Sequence, residues 1–220
     1  EEEFKKGSAI LPIGLGRDVA GFPVFASLEK MPHLLVAGAT GSGKSVMLNV
    51  IIRALTEQNS PDALKLVLID PKRVELSHFK TLPHLLTAPI YDSKKAAATL
   101  AWLVKEMEGR YDMLEKGGYR DIDARNKGEQ DKMHKIVVVI DEFADLVLQT
   151  DLSDVETNII RLAQKSRAVG IHIVIGTQDR APQPSHFQCV HGEHVFWQPV
   201  IVHPFPPSIS VPSFSGIRAR

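Results

Sequence analysis

Eight residues restrict the fold of this chain more than any others. Gly38-Ala39-Thr40-Gly41-Ser42-Gly43-Lys44-Ser45 fits the pattern G-x-x-x-x-G-K-[ST] at every position. The apolar run at residues 34–37 precedes it and a helix-period segment at residues 45–56 follows. Such a loop needs that context. Glycines let the backbone wrap closely and turn its N–H groups inward. Those amides and the N-terminus of the next helix form a concave site for phosphate oxygens. The residues expected to surround a nucleotide are Gly38, Ala39, Thr40, Gly41, Ser42, Gly43, Lys44, Ser45 and Val46. Lys44 would reach the β- and γ-phosphates of ATP, and the Ser45 hydroxyl would sit on Mg²⁺. The competing explanation is a chance glycine-rich turn. Strand, motif and helix standing in register argue against it.

The flanking pattern is that of an α/β protein. Apolar runs at residues 34–37, 64–69, 136–140 and 171–175 are continuously hydrophobic. That is the signature of parallel strands buried on both faces. Helical periods fill residues 45–56, 93–116 and 153–168. The second places Ala97, Leu100, Val104, Met107 and Tyr111 on one stripe, and the third does the same with Val155, Ile159, Leu162 and Ala163. Gly117-Gly118 ends the second helix. Residues 120–134 are polar and read as a surface excursion. Residues 1–32 read as a β-hairpin and linker, 33–178 as the core, and 179–220 as an irregular tail. That tail holds seven of the 14 prolines, too many for a long helix or a central strand.

The third strand run ends in two acids, Asp141 and Glu142. In P-loop enzymes an Asp at this place holds the magnesium shell. The next Glu is placed to orient or deprotonate a water that attacks the γ-phosphate. Asp141 alone could instead be a helix N-cap after a strand. The fourth run leads through Gly176-Thr177 to Gln178, which would lie beside the Asp141 strand and could sense the γ-phosphate. A plain strand exit is the alternative for Gln178.

Bulk properties narrow the function classes. Net charge is zero, from 26 basic and 26 acidic residues, so any nucleic-acid contact must be a local patch, a loop, or a pore shared by subunits. The single cysteine, Cys189, allows no intramolecular disulfide and fits a reducing, cytoplasmic setting. No apolar run approaches the length of about 18 residues that a membrane helix needs. The start at Glu1 rather than Met, with no signal-peptide pattern, reads as a fragment of something longer.

Several stretches together resemble one family. They are Leu34 to Ser45, Asp70-Pro71-Lys72-Arg73-Val74-Glu75-Leu76, and Leu82-Pro83-His84-Leu85-Leu86. Glu106-Met107-Glu108 with Arg110-Tyr111, Asp141-Glu142-Phe143-Ala144-Asp145 and Ala163 to His172 complete the set. From about residue 11 to 178 the chain resembles the motor domain of the FtsK/SpoIIIE family of hexameric double-stranded DNA translocases. The resemblance implies a RecA-like ATPase with a mostly parallel central sheet, packed in a ring of like subunits around duplex DNA. ATP would bind between subunits. It also implies that Arg167 is a finger acting on a neighbour's ATP. From the residues alone Arg167 could equally cap a helix or be a surface charge; Arg161 is a weaker candidate for the finger. Lys72 and Glu75 would line the inter-subunit site. Full-length members are anchored to the inner face of the cell membrane by helices absent here.

The resemblance stops at Gln178. The family continues with Arg-Pro-Ser, whereas this chain continues Asp179-Arg180-Ala181-Pro182. The expectation is a frame-shifted or fused tail, with loss of edge strands and of one pore wall. Two other readings stay open: a secretion-coupling ATPase, and a truncated nucleotide-binding module that does not translocate.

Overall fold

Strand β3 (His33–Ala37) is buried along its whole length, as are β5 (Lys135–Ile140) and β6 (Ile171–Thr177); β4 (Leu64–Ile69) exposes only one residue in part. The computed structural model that shows this describes residues 11–18, 20–148, 152–178 and 197–201; for 152, 153 and 197–201 it describes the backbone only. Successive side chains of a strand point to opposite faces, and here both faces are covered. Leu34, Val36, Val137, Val139 and Val174 enter one apolar cluster. Leu35, Ile136, Val138, Ile140 and Ile173 enter the other.

The first cluster is closed by helix α1 (Lys44–Gln58) through Met47, Leu48, Ile51, Ile52 and Leu55. The hairpin of β1 (Pro12–Arg17) and β2 (Pro23–Ser27) joins it through Leu11, Ile13 and Leu15. The second cluster is closed by α2 (Ser93–Gly117), the short α4 (Phe143–Leu148) and α5 (Leu152–Lys165). The expected stripe on α5 is buried as read. On α2 Leu100, Val104 and Met107 are buried as read and Ala97 packs against them; only at the C-terminal end does the stripe depart, where Tyr111 is exposed and Arg110 is 1% exposed. Gly118 ends α2 in a left-handed conformation at φ 68°, where its N–H reaches the carbonyls of Leu114 and Glu115.

The burial of Arg110 has a reason. Its guanidinium donates to the Val169 and His134 carbonyls at 3.0 and 2.9 Å and to Glu106 at 2.8 Å. It ties α2 to the turns entering β5 and β6. Two helices escaped the sequence reading. The polar excursion contains α3 (Ile122–Gly128), capped by the Asp121 carboxylate on the Ala124 N–H. The acidic motif runs straight into α4, six residues long and too short to show a period.

The sheet order is β4-β5-β6-β3-β7, all parallel, with β7 spanning Trp197–Ile201. The expectation of an irregular tail fails over these five residues. β7 pairs with β3, placing Trp197 opposite His33 and Ile201 opposite Ala37. It takes the sheet edge, where a proline such as Pro199 is tolerated. The edge expected to be lost is therefore occupied. The remainder of the tail lies outside the described residues.

Two histidines sit at the entrance to the sheet. His33 opens β3 and His172 lies in β6, its Nδ1 within 3.1 Å of the Pro32 carbonyl oxygen. Burial lowers His33 to a pKa of about 4. Burial, then the neighbouring His33, lowers His172 to about 3, from an ordinary value of 6.5. The unfolded chain therefore takes up protons before the folded one as pH falls below the ordinary value. The contribution to stability is complete above that value and is lost as pH falls toward the folded values. Urea unfolding from about pH 7 to about pH 5 should show a loss of roughly 2 kcal/mol per histidine. His172→Gln should lose about half as much as the wild type from this pair over the same range. An unchanged pH slope in that variant would refute the assignment.

Candidate nucleotide site

The loop between β3 and α1 has the backbone its glycines permit. Gly41 and Gly43 adopt φ 78° and 98°, in the left-handed region that side chains strain. The Gly38 N–H donates to the Thr177 carbonyl at 3.1 Å, extending the β3–β6 ladder into the loop. The Ser42 N–H closes a turn on the Ala39 carbonyl at 2.9 Å. The Ser42 hydroxyl is buried with no hydrogen-bond partner, a polar atom left for a ligand. Ser45 is half-buried on the first turn of α1, and Val46 is exposed beside it.

Lys44 crosses from α1 to the end of β5. Its Nζ lies 2.8 Å from Asp141 Oδ1 and 3.3 Å from Glu142 Oε2, all three side chains being buried. β5 and β6 are neighbours, so Gln178 falls beside these acids as read. The Gln178 N–H donates to Glu142 Oε1 at 3.2 Å, and the Thr40 hydroxyl donates to the Gln178 side-chain oxygen at 3.3 Å. Glu142 itself has φ 60°, an uncommon conformation for a side-chain-bearing residue that costs on the order of 1–3 kcal/mol.

Burial pushes the Asp141 carboxyl above its ordinary value. The hydrogen bond and charge of Lys44 pull it back, while Asp70 and Glu75 push it further up. A buried carboxylate with incomplete charge compensation is a fitting donor for a cation. Together with the Ser45 hydroxyl it makes a donor set suited to Mg²⁺.

The loop after β4 is built around Asp70. This side chain is fully buried, and its Oδ2 accepts the N–H groups of Glu75 and Leu76 at 3.1 and 3.0 Å. Leu76 is thereby set into the α1-side core. The loop carries Lys72 out to Glu142 at 3.5 Å and to Asp145 at 3.0 Å. Burial would lower the Lys72 pKa, but the bond to Asp145 and the charge of Glu142 outweigh it, and the net direction is up. Lys72 and Glu75, expected at a subunit boundary, both lie in this loop, and Lys72 also makes these contacts within its own chain. The parts played by Asp70 and Asp145 were missed, although an Asp ending β4 parallels Asp141 ending β5.

Arg167 is elsewhere. It is exposed in the turn between α5 and β6, at the N-terminal end of the strands. Its chain's Asp141 ends β5 at the opposite rim, about 20 Å away along strands of this length. Around Arg167 is an open cavity of about 590 Å³ that also takes in Lys30, Arg120, Lys135 and His172. Arg161 pairs with Glu108 of α2 at 2.5 Å, so its charge is already engaged.

The model of the FtsK/SpoIIIE family matches residues 1–135 and 124–182. The chain belongs to the FtsK/SpoIIIE family. DNA translocase FtsK of Caldanaerobacter subterraneus subsp. tengcongensis is 50% identical over 178 residues, covering 80% of this chain and 25% of that protein. DNA translocase SftA of Bacillus subtilis is 47% identical over 182 residues, covering 80% and 19%. The chain thus spans about a quarter or less of the length of these relatives. Among solved structures, the pCW3 conjugation coupling protein TcpA, in monomer form with ATPγS, superposes with a TM-score of 0.71 at 30% identity. That match covers 86% of this chain and 53% of TcpA. The Type VII secretion ATPase EccC of Thermomonospora curvata gives 0.67 at 26% identity, covering 78% and 22%. The fold is therefore that of the P-loop ATPases, with the FtsK/SpoIIIE strand-end motifs placed around one cluster. Among the described residues no helix is long and apolar enough to cross a membrane.

Taking Lys44 away leaves the buried Asp141 carboxylate without its cation, while Glu142 keeps Lys72. Lys44→Ala should destabilise the protein by about 3 kcal/mol in urea unfolding. Adding Asp141→Asn should restore part of that loss, because it removes a charge left without a partner. Additive losses in the double variant would mean that the pair is not coupled.

Proposed function

We propose that this chain is the ATP-hydrolysing motor core of a double-stranded DNA translocase of the chromosome segregation and cell division type, working between subunits of a ring, on the cytoplasmic side. The observation that carries the reading is the convergence of Lys44, Asp141 and Glu142 within 3.3 Å at the end of a buried parallel sheet. Its support from outside the site is the identity to proteins named DNA translocase.

The loop amides of residues 38–43 and the α1 N-terminus would hold the phosphates, and Lys44 would leave the acids for the β- and γ-phosphates. Ser45 and Asp141 would hold Mg²⁺, which when bound neutralises charge on the phosphate oxygens. Glu142 would hold and deprotonate a water for attack on the γ-phosphate. Gln178, tied to Thr40 of the loop and to Glu142, lies where a phosphate sensor would couple the two. Arg167 sits on the far rim and would act only on the nucleotide of a neighbouring subunit, as a finger. On this reading the separation calls for a head-to-tail contact between subunits, which a ring would close, and duplex DNA would be met by loops lining the ring.

Coupling to secretion, suggested by the fold shared with EccC, is the weaker reading, because the DNA translocases are nearly twice as similar in sequence. An isolated nucleotide-binding module would bind ATP as a monomer without DNA-stimulated turnover.

ATPase activity of the purified chain, measured with and without duplex DNA and alongside mass by light scattering, tests the proposal. Stimulation by DNA in a multimeric species is expected. Lys44→Ala should abolish nucleotide binding. Arg167→Ala should keep binding but lose about 10³-fold in turnover. Mixing these two variants should recover activity, since each supplies what the other lacks. Normal hydrolysis by the Arg167 variant would rule out the finger, and a monomer indifferent to DNA would rule out the motor.

A further inference from the structure

Resting on the reading of Glu142 as the base, we propose that Lys72 is a positioning residue: it tethers the Glu142 carboxylate to Asp145 and keeps it aimed when Lys44 departs for the nucleotide.

Among the described residues Glu142 has three contacts at its carboxylate. Oε2 faces Lys44 at 3.3 Å and Lys72 at 3.5 Å, and Oε1 accepts the Gln178 N–H at 3.2 Å. The Lys44 contact cannot persist while Lys44 binds phosphates. Lys72 is then the remaining cation of the three contacts. Its other partner, Asp145, lies three residues on, in the first turn of α4. One ammonium shared in this way by two carboxylates links Glu142 to the helix that follows it.

The loop that carries Lys72 is built to resist movement. Asp70 is fully buried and staples the N–H groups of Glu75 and Leu76. Arg73, next to Lys72, takes φ 60°, so the turn is held in a conformation that a free loop would leave. Arg73 also lies over the Tyr91 ring, 5.4 Å from its centroid. The strained backbone of Glu142 has the same implication. A backbone angle of φ 60° at a residue with a side chain costs energy that surrounding contacts must supply. Lys72 is itself partly exposed, so its charge is a poor source of stability. Its value lies in orientation.

Steady-state ATPase kinetics of the full chain with duplex DNA test this, together with binding of ATPγS. Lys72→Ala should lower kcat by about 10- to 100-fold, with KM for ATP and ATPγS binding changed less than about twofold. Lys72→Arg, which keeps the cation, should recover most of the rate, and Asp145→Asn should show a smaller loss of the same kind. In a Glu142→Gln background Lys72→Ala should cost almost nothing more, measured in single turnovers. A cost undiminished in that background, or a KM effect in place of a kcat effect, overturns the tether while leaving the base reading intact. Full-rate turnover by Glu142→Gln alone would remove the base reading and the tether with it.

Discussion

The structure turns on one buried ammonium group. Lys44 stands at the start of α1, yet its charge is spent on Asp141 and Glu142 at the end of β5. Moving such charges out of water costs on the order of several kcal/mol per ion unless partners compensate. The compensation is local and incomplete, since burial still holds the Asp141 carboxyl above its ordinary value. A cluster in this condition responds to new charge. On the proposed reading a triphosphate would draw Lys44 toward itself and free a carboxylate for a divalent cation. The resting contacts and the working contacts are alternatives, and the same residues serve both.

The parallel sheet makes this exchange possible. All strands of the core run the same way, so their C-terminal ends fall on one rim. Asp70 ends β4, Asp141 and Glu142 end β5, Gln178 follows β6, and the glycine loop follows β3. Neighbouring strands lie about 4.8 Å apart, which puts groups from three different chain segments within hydrogen-bond range. The two apolar clusters hold this arrangement rigid by packing helices on both faces. Arg110 adds to it by filling the carbonyls of the turns that enter β5 and β6.

Much of this was legible in the residues, for reasons that differ by element. The four buried strands announced themselves because strands covered on both faces are continuously apolar. Lys44 and Asp141 could be paired from afar, since a loop and a strand end of those compositions have one common use. α4 and α3 were not legible, because helices of six and seven residues are shorter than two full turns and show no period. The burial of Arg110 was not legible from the α2 stripe, because two of its partners are backbone carbonyls far away in sequence. β7 was hidden by Pro199, which rules out a central strand but not an edge. The Lys72 bridge was invisible because only the fold brings residues 72, 142 and 145 together.

The position of Arg167 gives the strongest architectural consequence. The core strands run six or seven residues between its turn and the rim of Lys44, and no rotation of a side chain spans that distance. An arginine used in catalysis there must serve a second copy of the chain, whose own sheet presents its opposite rim. Such a contact is heterologous: one face of each subunit meets a different face of the next. Heterologous contacts close only into rings or continue as filaments. On the proposed reading, with Arg167 as a finger on the rim opposite Lys44, the subunits would work in a head-to-tail series.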